Sequence, residues 1–177
     1  MAVIQSGVVP ATEASRGEFE GFCVRPIEPS DADALVLFHE HLSTRSIRLR
    51  YFYPHFALQP AEVTHLTCVD GYDRVAYVVE HEGVLVAVGR YDRLDEHCAA
   101  EVAFVVADEF QHRGLGSMLL ERLAETARRS GIGEFRASVL VDNSSMLAVF
   151  HGSGFPLTES RCHDVVELTM EIGPRWP

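Results

Sequence analysis

The stretch that decides the fold is VAFVVADEFQHRGLGSMLLERL, which runs over residues 102–123. Its first five residues are apolar and rich in Val, as is typical of a buried strand. A short loop with Gln111, Gly114 and Gly116 follows, and apolar residues then recur every four positions until Gly131. This period is typical of a helix with one buried face, and a glycine commonly ends such a helix. The stretch therefore predicts a strand, a tight loop and an amphipathic helix in direct succession.

The predicted loop lies at the N-terminal end of the helix, where a protein can bind an anion. The first helical turn has unpaired backbone N–H groups and the positive end of the helix dipole, so a phosphate placed there receives several hydrogen bonds. Gly114 and Gly116 carry no Cβ, which permits positive φ and a close approach of the phosphate to the backbone. Leu119 replaces the third glycine of a dinucleotide motif, and no Lys-Ser/Thr pair of a P-loop follows. A phosphate site of another kind and a glycine turn without a ligand both stay open at this point.

Apolar and alternating runs on both sides of this stretch predict the rest of the fold. Strands are expected at 22–27, 75–81, 84–91, 100–106, 135–141 and 164–172. Helices are expected at 31–42, 60–69, 115–130 and from Asn143 onward, with a short helix and a loop at 45–56. Three consecutive strands form an antiparallel meander, which a doubly wound sheet does not contain. We therefore predict a single α/β (α+β) domain over 21–177, with a mixed, mostly antiparallel twisted sheet, helices on both faces and a flexible tail at 1–20.

The composition excludes several kinds of partner. The chain has 177 residues, of which 47% are hydrophobic and 23% charged, and its formal net charge is −11. Nucleic acids and anionic membrane surfaces are bound by clustered Lys and Arg, so neither is expected as a partner. The N-terminal residues lack the features of a signal peptide, and no apolar run is long enough to span a membrane. We therefore expect a protein that acts in the cytoplasm.

The sequence contains no pattern typical of metal ligands. The four cysteines, at positions 23, 68, 98 and 162, form no Cys-x-x-Cys pair and are expected to be buried, reduced thiols. The segment His39-Glu40-His41 lacks the two histidines at i and i+4 that a zinc-binding helix carries. We predict that the protein binds no metal.

The loop QHRGLG at 111–116 resembles the Gln/Arg-x-x-Gly-x-Gly/Ala signature of the GNAT acyltransferase superfamily. The neighbouring strands, Asn143 and a helix that ends in Gly154-Phe155 also lie where that superfamily has them, so the resemblance covers about 22–172. It implies acetyl-CoA as the cosubstrate, with its pyrophosphate on main-chain N–H groups of the loop and its pantetheine arm beside a splayed strand. For Asn143 a role as helix N-cap is an equal alternative. The cofactor-binding residues implied by the resemblance are Phe104, Val105, Val106, Gln111, His112, Arg113, Gly114, Leu115, Gly116, Ser117 and Asn143.

Two further segments are similar to those of the bacterial Pat-type protein lysine acetyltransferases: LSTRSIRLRYFYPHF at 42–56 and AEVAFVV at 100–106. This resemblance implies that Glu101 is the general base. Strand alternation puts Glu101 on one face with Ala103 and Val105, in an apolar run where desolvation would make its carboxylate a stronger base. A solvated Glu on an outward face is the alternative.

The chain departs from the superfamily pattern in the helix after Asn143. The superfamily often has a Tyr there that protonates the departing thiolate, whereas this chain has Phe150. A phenyl ring cannot donate a proton, so the thiolate leaves as an anion or takes its proton from water or His151. We predict an acetyl-CoA-dependent N-acetyltransferase whose amine acceptor is a protein lysine. A small amine or a peptide N-terminus as the acceptor, and a non-catalytic acyl-CoA-binding module, are the alternatives.

Overall fold

One seven-stranded sheet organises the computed structural model, which describes residues 20–54, 57–94 and 98–173. The order of the strands is β1-β2-β3-β4-β5-β7-β6, so the meander β1 to β4 forms one half and the last three strands form the other. The predicted tail at 1–20 lies outside the described residues except for Glu20. The strands are β1 Phe22–Pro26, β2 Arg74–His81, β3 Val84–Arg93, β4 Ala99–Val106, β5 Glu134–Leu140, β6 Leu157–Cys162 and β7 Val165–Glu171.

The helices of the described residues begin and end close to the sequence signals. Pro60 occupies the first turn of its helix, where the missing N–H costs nothing, and Gly131 adopts a left-handed φ of 75° just after the long helix. None of the described helices is long and apolar enough to cross a membrane. The α-helices are α1 Ala32–Glu40, α2 Thr44–Tyr51, α3 Pro60–Thr67, α4 Leu115–Arg129 and α5 Ser144–His151.

Strands β4 and β5 form the parallel pair of an otherwise antiparallel sheet. They pair over three positions, from Ala99 opposite Glu134 to Glu101 opposite Arg136. Beyond Glu101 the two strands separate, although β4 continues along β3 as far as Val106. The sheet is therefore splayed from Glu101 onward, and the edge of β4 that faces β5 is open there. This confirms the splayed strand implied by the resemblance.

Helices cover both faces of the sheet, as the sequence predicts. On one face, α4 packs its buried leucines against Val102 and Phe104 of β4. On the other face, α1 and neighbouring residues pack against Val78, and Val105 of β4 borders this second cluster. Residues alternate in direction along a strand. Glu101, Ala103 and Val105 therefore share the second face, as predicted.

The fold differs from the sequence expectations in one strand and in the cysteines. The sequence pattern does not predict strand β6, because only Leu157 of its six residues is a large aliphatic residue and most of the strand is exposed at the sheet edge. The four cysteines are free but exposed, not buried. Cys23 lies on the edge strand β1 and Cys162 ends β6, so neither is covered by a neighbouring strand on its open side.

Candidate active site

A cleft of about 650 Å³ opens where the N-terminal ends of α4 and α5 face β4 and α2. We call this cleft, which contains the glycine loop, the large cleft. It brings together nearly all the residues predicted to bind the cofactor. Arg113 is the exception, because it is exposed and its guanidinium lies over the Phe110 ring, 5.1 Å from the ring centroid. The predicted residues that line the cleft are Phe104, Val105, Val106, Gln111, His112, Gly114, Leu115, Gly116, Ser117 and Asn143.

The glycine loop has the geometry of an anion-binding helix start. Gly114 is the N-cap of α4 and adopts a left-handed φ of 78°, a conformation that glycine tolerates without strain. The N–H of Met118 donates to the carbonyl of Gly114 at 3.0 Å. The N–H groups of Leu115, Gly116 and Ser117 precede that bond and have no partner within the helix. They point from the helix start toward the cleft, where an anion would accept from them.

Gly116 has a packing role that the sequence did not indicate. A Cβ at this buried position would lie 3.2 Å from Cγ2 of Val149, a residue of α5. The missing side chain therefore lets α4 and α5 pack closely side by side. The starts of both helices border the cleft.

A hydrogen-bonded network joins α2 to the loop before α4. Asp108 accepts from the N–H of Ser43 at 3.0 Å, from its hydroxyl at 2.6 Å and from the Ser46 hydroxyl at 2.9 Å. The Gln111 side chain donates to Ser46 Oγ and to the carbonyl of Val106, both at 3.1 Å. The Gln111 amide is thus used to hold the loop in place. Sequence reasoning missed Ser46 and Asp108, because their link spans 62 positions.

The network makes stability depend on pH in a defined direction. Burial alone would raise the pKa of Asp108, but the hydrogen bonds from Ser43 and Ser46 outweigh burial and hold the pKa below its usual value. A depressed folded-state pKa stabilises the fold above the unfolded pKa, about 3.9 for Asp, and this contribution is lost as pH falls through the folded value. We expect Asp108→Asn to lower the free energy of unfolding by about 1 kcal/mol at pH 7.

The difference between wild type and Asp108→Asn should shrink as the pH falls below about 4, because the wild-type carboxyl then becomes protonated. Urea unfolding at pH 7, 5 and 3 measures this difference in the free energy of unfolding. Asp33→Asn is a suitable control, since Asp33 is an exposed acid of α1 away from this network. A difference that stays constant over this range would show that the charge of Asp108 does not stabilise the loop.

Asn143 acts as the N-cap of α5. Its Oδ1 accepts from the N–H of Met146 at 3.2 Å, which confirms the capping role proposed as one alternative. Its side chain also borders the large cleft and the gap between the splayed strands. A contact with a cofactor is compatible with this position and stays a prediction.

Glu101 lies at the fork of the sheet, where β4 and β5 separate. It lines a gap of about 90 Å³ between these strands and a second, charged cleft of about 700 Å³. Phe104 and Asn143 border both the gap and the large cleft, so Glu101 is close to the inner end of the latter. The side chain is exposed, and the desolvation expected from its apolar neighbours in sequence is not observed. Those neighbours lie on both faces of the strand and do not enclose the carboxylate.

Among the described residues, no group of three or more His, Cys, Asp or Glu side chains is arranged to hold a metal ion. His39 is buried in α1, whereas His41 is exposed after its end and hydrogen-bonds to the carbonyl of Leu37 at 2.7 Å. The two histidines therefore do not face a common site.

The splayed sheet and the glycine loop at the start of α4 are the arrangement implied by the resemblance to the GNAT superfamily. The profile of the Acetyltransferase (GNAT) family matches residues 41–155. The chain belongs to this family.

Individual relatives are consistent with that assignment. The chain is 31% identical over 140 residues to the acetyltransferase Pat of Mycolicibacterium smegmatis, a match over 76% of this chain and 41% of that protein. It thus spans about two fifths of the length of this curated relative. An acetyltransferase of Pseudomonas aeruginosa is 29% identical over 130 residues, 71% of this chain and 68% of that one.

Two solved structures show the same fold. The GNAT domain of S. lividans PAT superposes with a TM-score of 0.78 at 38% identity, over 84% of this chain and 89% of that domain. An acetyltransferase of Salmonella typhimurium, solved with acetyl-CoA, superposes with a TM-score of 0.71 at 18% identity, over 87% of this chain and 95% of that one. The fold is therefore confirmed as GNAT-like.

Proposed function

We propose that the protein transfers the acetyl group of acetyl-CoA to a primary amine, and that the amine is the side chain of a protein lysine. The observation that carries this proposal is the position of Glu101 at the fork of the sheet, between the cleft with the glycine loop and the charged cleft on the other side. One opening suits the acyl donor and the other suits the acceptor. A carboxylate between them is placed to accept a proton from the amine.

The residues of the large cleft fit acetyl-CoA. The N–H groups of Leu115, Gly116 and Ser117 would bind its pyrophosphate at the start of α4. The open edge of β4, from Phe104 to Val106, offers backbone groups to the amides of the pantetheine arm. When bound, acetyl-CoA supplies an activated thioester. The S. typhimurium acetyltransferase with the same fold was solved with this ligand.

Glu101 would supply the base that the reaction needs. A lysine ammonium has an ordinary pKa of about 10.4, so at neutral pH it must lose a proton before its nitrogen can attack a carbonyl. In the proposed step the Glu101 carboxylate accepts this proton, directly or through one water molecule. Its exposed position lets an incoming amine reach it without displacing the core.

A protein lysine is favoured as the acceptor because two segments resemble those of Pat-type lysine acetyltransferases, and two relatives, at 31% and 38% identity, carry the name Pat. The runner-up is a small amine or a peptide N-terminus, and membership of an acetyltransferase family favours all of these acceptors over a non-catalytic module. Cytoplasmic localisation stays a prediction from the sequence.

An acetyl-CoA turnover screen over proteins, peptides and small amines tests the proposal. The 177 residues include no lysine, so an acetyl-lysine signal in this assay comes from the acceptor and not from the enzyme. We expect transfer to lysine side chains of proteins or peptides. Transfer only to small amines or to peptide N-termini would replace the lysine by the runner-up. No transfer to any amine would refute the proposal that the protein is an enzyme.

Phe150 offers a test of how the thiolate leaves. Its ring is 2% exposed and lies edge-on to Phe104, with 6.1 Å between centroids, at the border of the gap near Glu101. We expect Phe150→Tyr to fold and to retain turnover, because Phe150 borders this gap of about 90 Å³, which has room for one added hydroxyl. If thiolate protonation limits the rate, turnover should rise. Steady-state kinetics measures the turnover of Phe150→Tyr, and circular dichroism shows whether the variant is folded. A large loss of turnover in a folded variant would contradict the expectation.

A further inference from the structure

The charged cleft beside Glu101 contains several guanidinium and carboxylate groups. It has a volume of about 700 Å³ and lies between α2, α3 and strands β2 to β4. In the proposed function this cleft receives the acceptor. Its ion pairs therefore decide which charges remain available to an acceptor. The charged residues that line it include Arg50, Arg90, Asp92, Arg93 and Glu101.

Most charges in this cleft already have partners. Arg90 donates from Nε and from one terminal nitrogen to the two carboxylate oxygens of Asp92, both at 2.8 Å. Arg93 pairs with Asp73, and Arg74 lies 3.8 Å from a carboxylate oxygen of Asp70. Because the two charges within each pair neutralise each other, these pairs offer little net charge to a bound molecule.

Arg50 differs from these arginines. Within the described part of the chain its guanidinium makes no hydrogen bond or ion pair, and it lies over the Tyr51 ring at 4.9 Å from the centroid. The side chain is half-buried and lines the charged cleft, the gap at the fork and the large cleft. Burial lowers the pKa of Arg50, and the nearby positive charge of Arg90 lowers it further. The protein thus maintains a partly desolvated cation that makes no ion pair with the described residues, which is costly unless a ligand supplies a partner.

Glu101 is the matching negative charge. No cationic side chain of the described residues lies within ion-pair distance of its carboxylate, yet Arg50 and Glu101 are close enough to interact electrostatically. Asp92 also interacts with Arg50, but its oxygens are held by Arg90. Two charges of opposite sign therefore face one cleft without pairing with each other. This arrangement is complementary to a molecule that carries an amine and a carboxylate a short distance apart.

We propose that Arg50 is a specificity-determining residue that binds a carboxylate carried by the amine acceptor, so that the preferred lysine has an acidic neighbour. This inference rests on the proposed function and specifies its acceptor. A guanidinium can bind a carboxylate through two parallel hydrogen bonds, and a half-buried site strengthens such a pair relative to one in water. The same chemistry is present in a free amino acid, which the experiment separates from a peptide.

Two matched acceptor pairs test the proposal. The first pair is a lysine peptide with a Glu beside the lysine and the same peptide with Gln in its place. The second pair is free lysine and 1,5-diaminopentane, which lacks the carboxylate. Wild type should acetylate the Glu peptide with a kcat/KM roughly tenfold to a hundredfold higher than the Gln peptide, the range for a charge-assisted hydrogen bond. A preference in the second pair alone would identify a free amino acid as the source of the carboxylate.

Variants connect the preference to Arg50. Arg50→Gln should reduce the ratio of kcat/KM for the Glu peptide to kcat/KM for the Gln peptide to near one. Arg50→Lys should keep part of this ratio, and it replaces the Gln variant in the test if the Gln variant does not fold. Arg48→Gln is the matched control, because Arg48 is on the same helix but pairs with Asp142 at 2.7 Å, and it should leave the ratio unchanged.

Equal kcat/KM values within both pairs would overturn the inference while leaving the proposed function intact. An equal loss of kcat/KM for all acceptors in Arg50→Gln would also overturn the inference, since Arg50 would then act on the acetyl donor. Absence of acetylation by wild type would instead refute the proposed function itself.

Discussion

Glu101→Gln is expected to lower turnover by about 10²–10⁴-fold, the usual effect of removing a general base. Gln keeps the shape and most hydrogen bonds of Glu but cannot accept the proton of the amine. The change should leave the affinity for acetyl-CoA nearly constant, because the proposed cofactor contacts are backbone groups of β4 and α4. Stability should also change little, since the carboxylate is exposed and makes no ion pair among the described residues.

The pH profile distinguishes a base from a residue that only shapes the cleft. Wild-type kcat should fall at acidic pH, where a protonated carboxylate cannot accept another proton, and the variant should lose this acid-side fall. Glu121→Gln is the control, because Glu121 is an exposed acid of α4 outside both clefts. If Glu101→Gln retains near-normal turnover and the wild-type profile, the base must be another group, such as a histidine or a chain of water molecules.

The features that could be predicted from the sequence are those set by local patterns. The meander, α4 and the loop before it follow from residue periodicity, from Gly114 at a left-handed φ and from Gly131 after the helix. The face of Glu101 follows from strand alternation. These signals act within a few residues, so they can be interpreted without knowledge of the tertiary structure.

The features that could not be predicted depend on contacts between distant segments. The surroundings of Glu101 are set by where β5 separates from β4, and not by the apolar neighbours of Glu101 in sequence. The role of Gly116 depends on Val149, and that of Gln111 on Ser46. No local pattern carries such information.

Arg50 shows the same limit most clearly. The sequence has three arginines within 45–50, and nothing in their spacing distinguishes one from another. Only the fold shows that Arg48 pairs with Asp142, whereas Arg50 lines the same cleft as Glu101 and makes no ion pair among the described residues. The difference in ion pairing between these two arginines is thus a property of the assembled cleft.

The second large effect is expected for Ser117→Glu. Ser117 is the third residue of α4, is exposed and borders the large cleft. A carboxylate at this helix position interacts favourably with the helix dipole and can hydrogen-bond to the N-cap backbone, so the fold should be as stable as wild type or slightly more stable. The same charge would repel the pyrophosphate of acetyl-CoA. Because like-charge juxtaposition costs up to roughly several kcal/mol, the KM for acetyl-CoA should rise roughly tenfold to a hundredfold.

The comparison with Ser117→Gln separates charge from size, since Gln has nearly the same shape as Glu without the charge. The Gln variant should bind acetyl-CoA only slightly less tightly than wild type. Added salt should narrow the difference between the two variants, because it screens the repulsion at this exposed position. Thermal unfolding and calorimetric titration with acetyl-CoA give stability and affinity on the same samples. Equal affinities in two folded variants would show that the pyrophosphate binds away from the start of α4, since a carboxylate among the N–H groups of that first turn cannot be neutral toward an anion bound there.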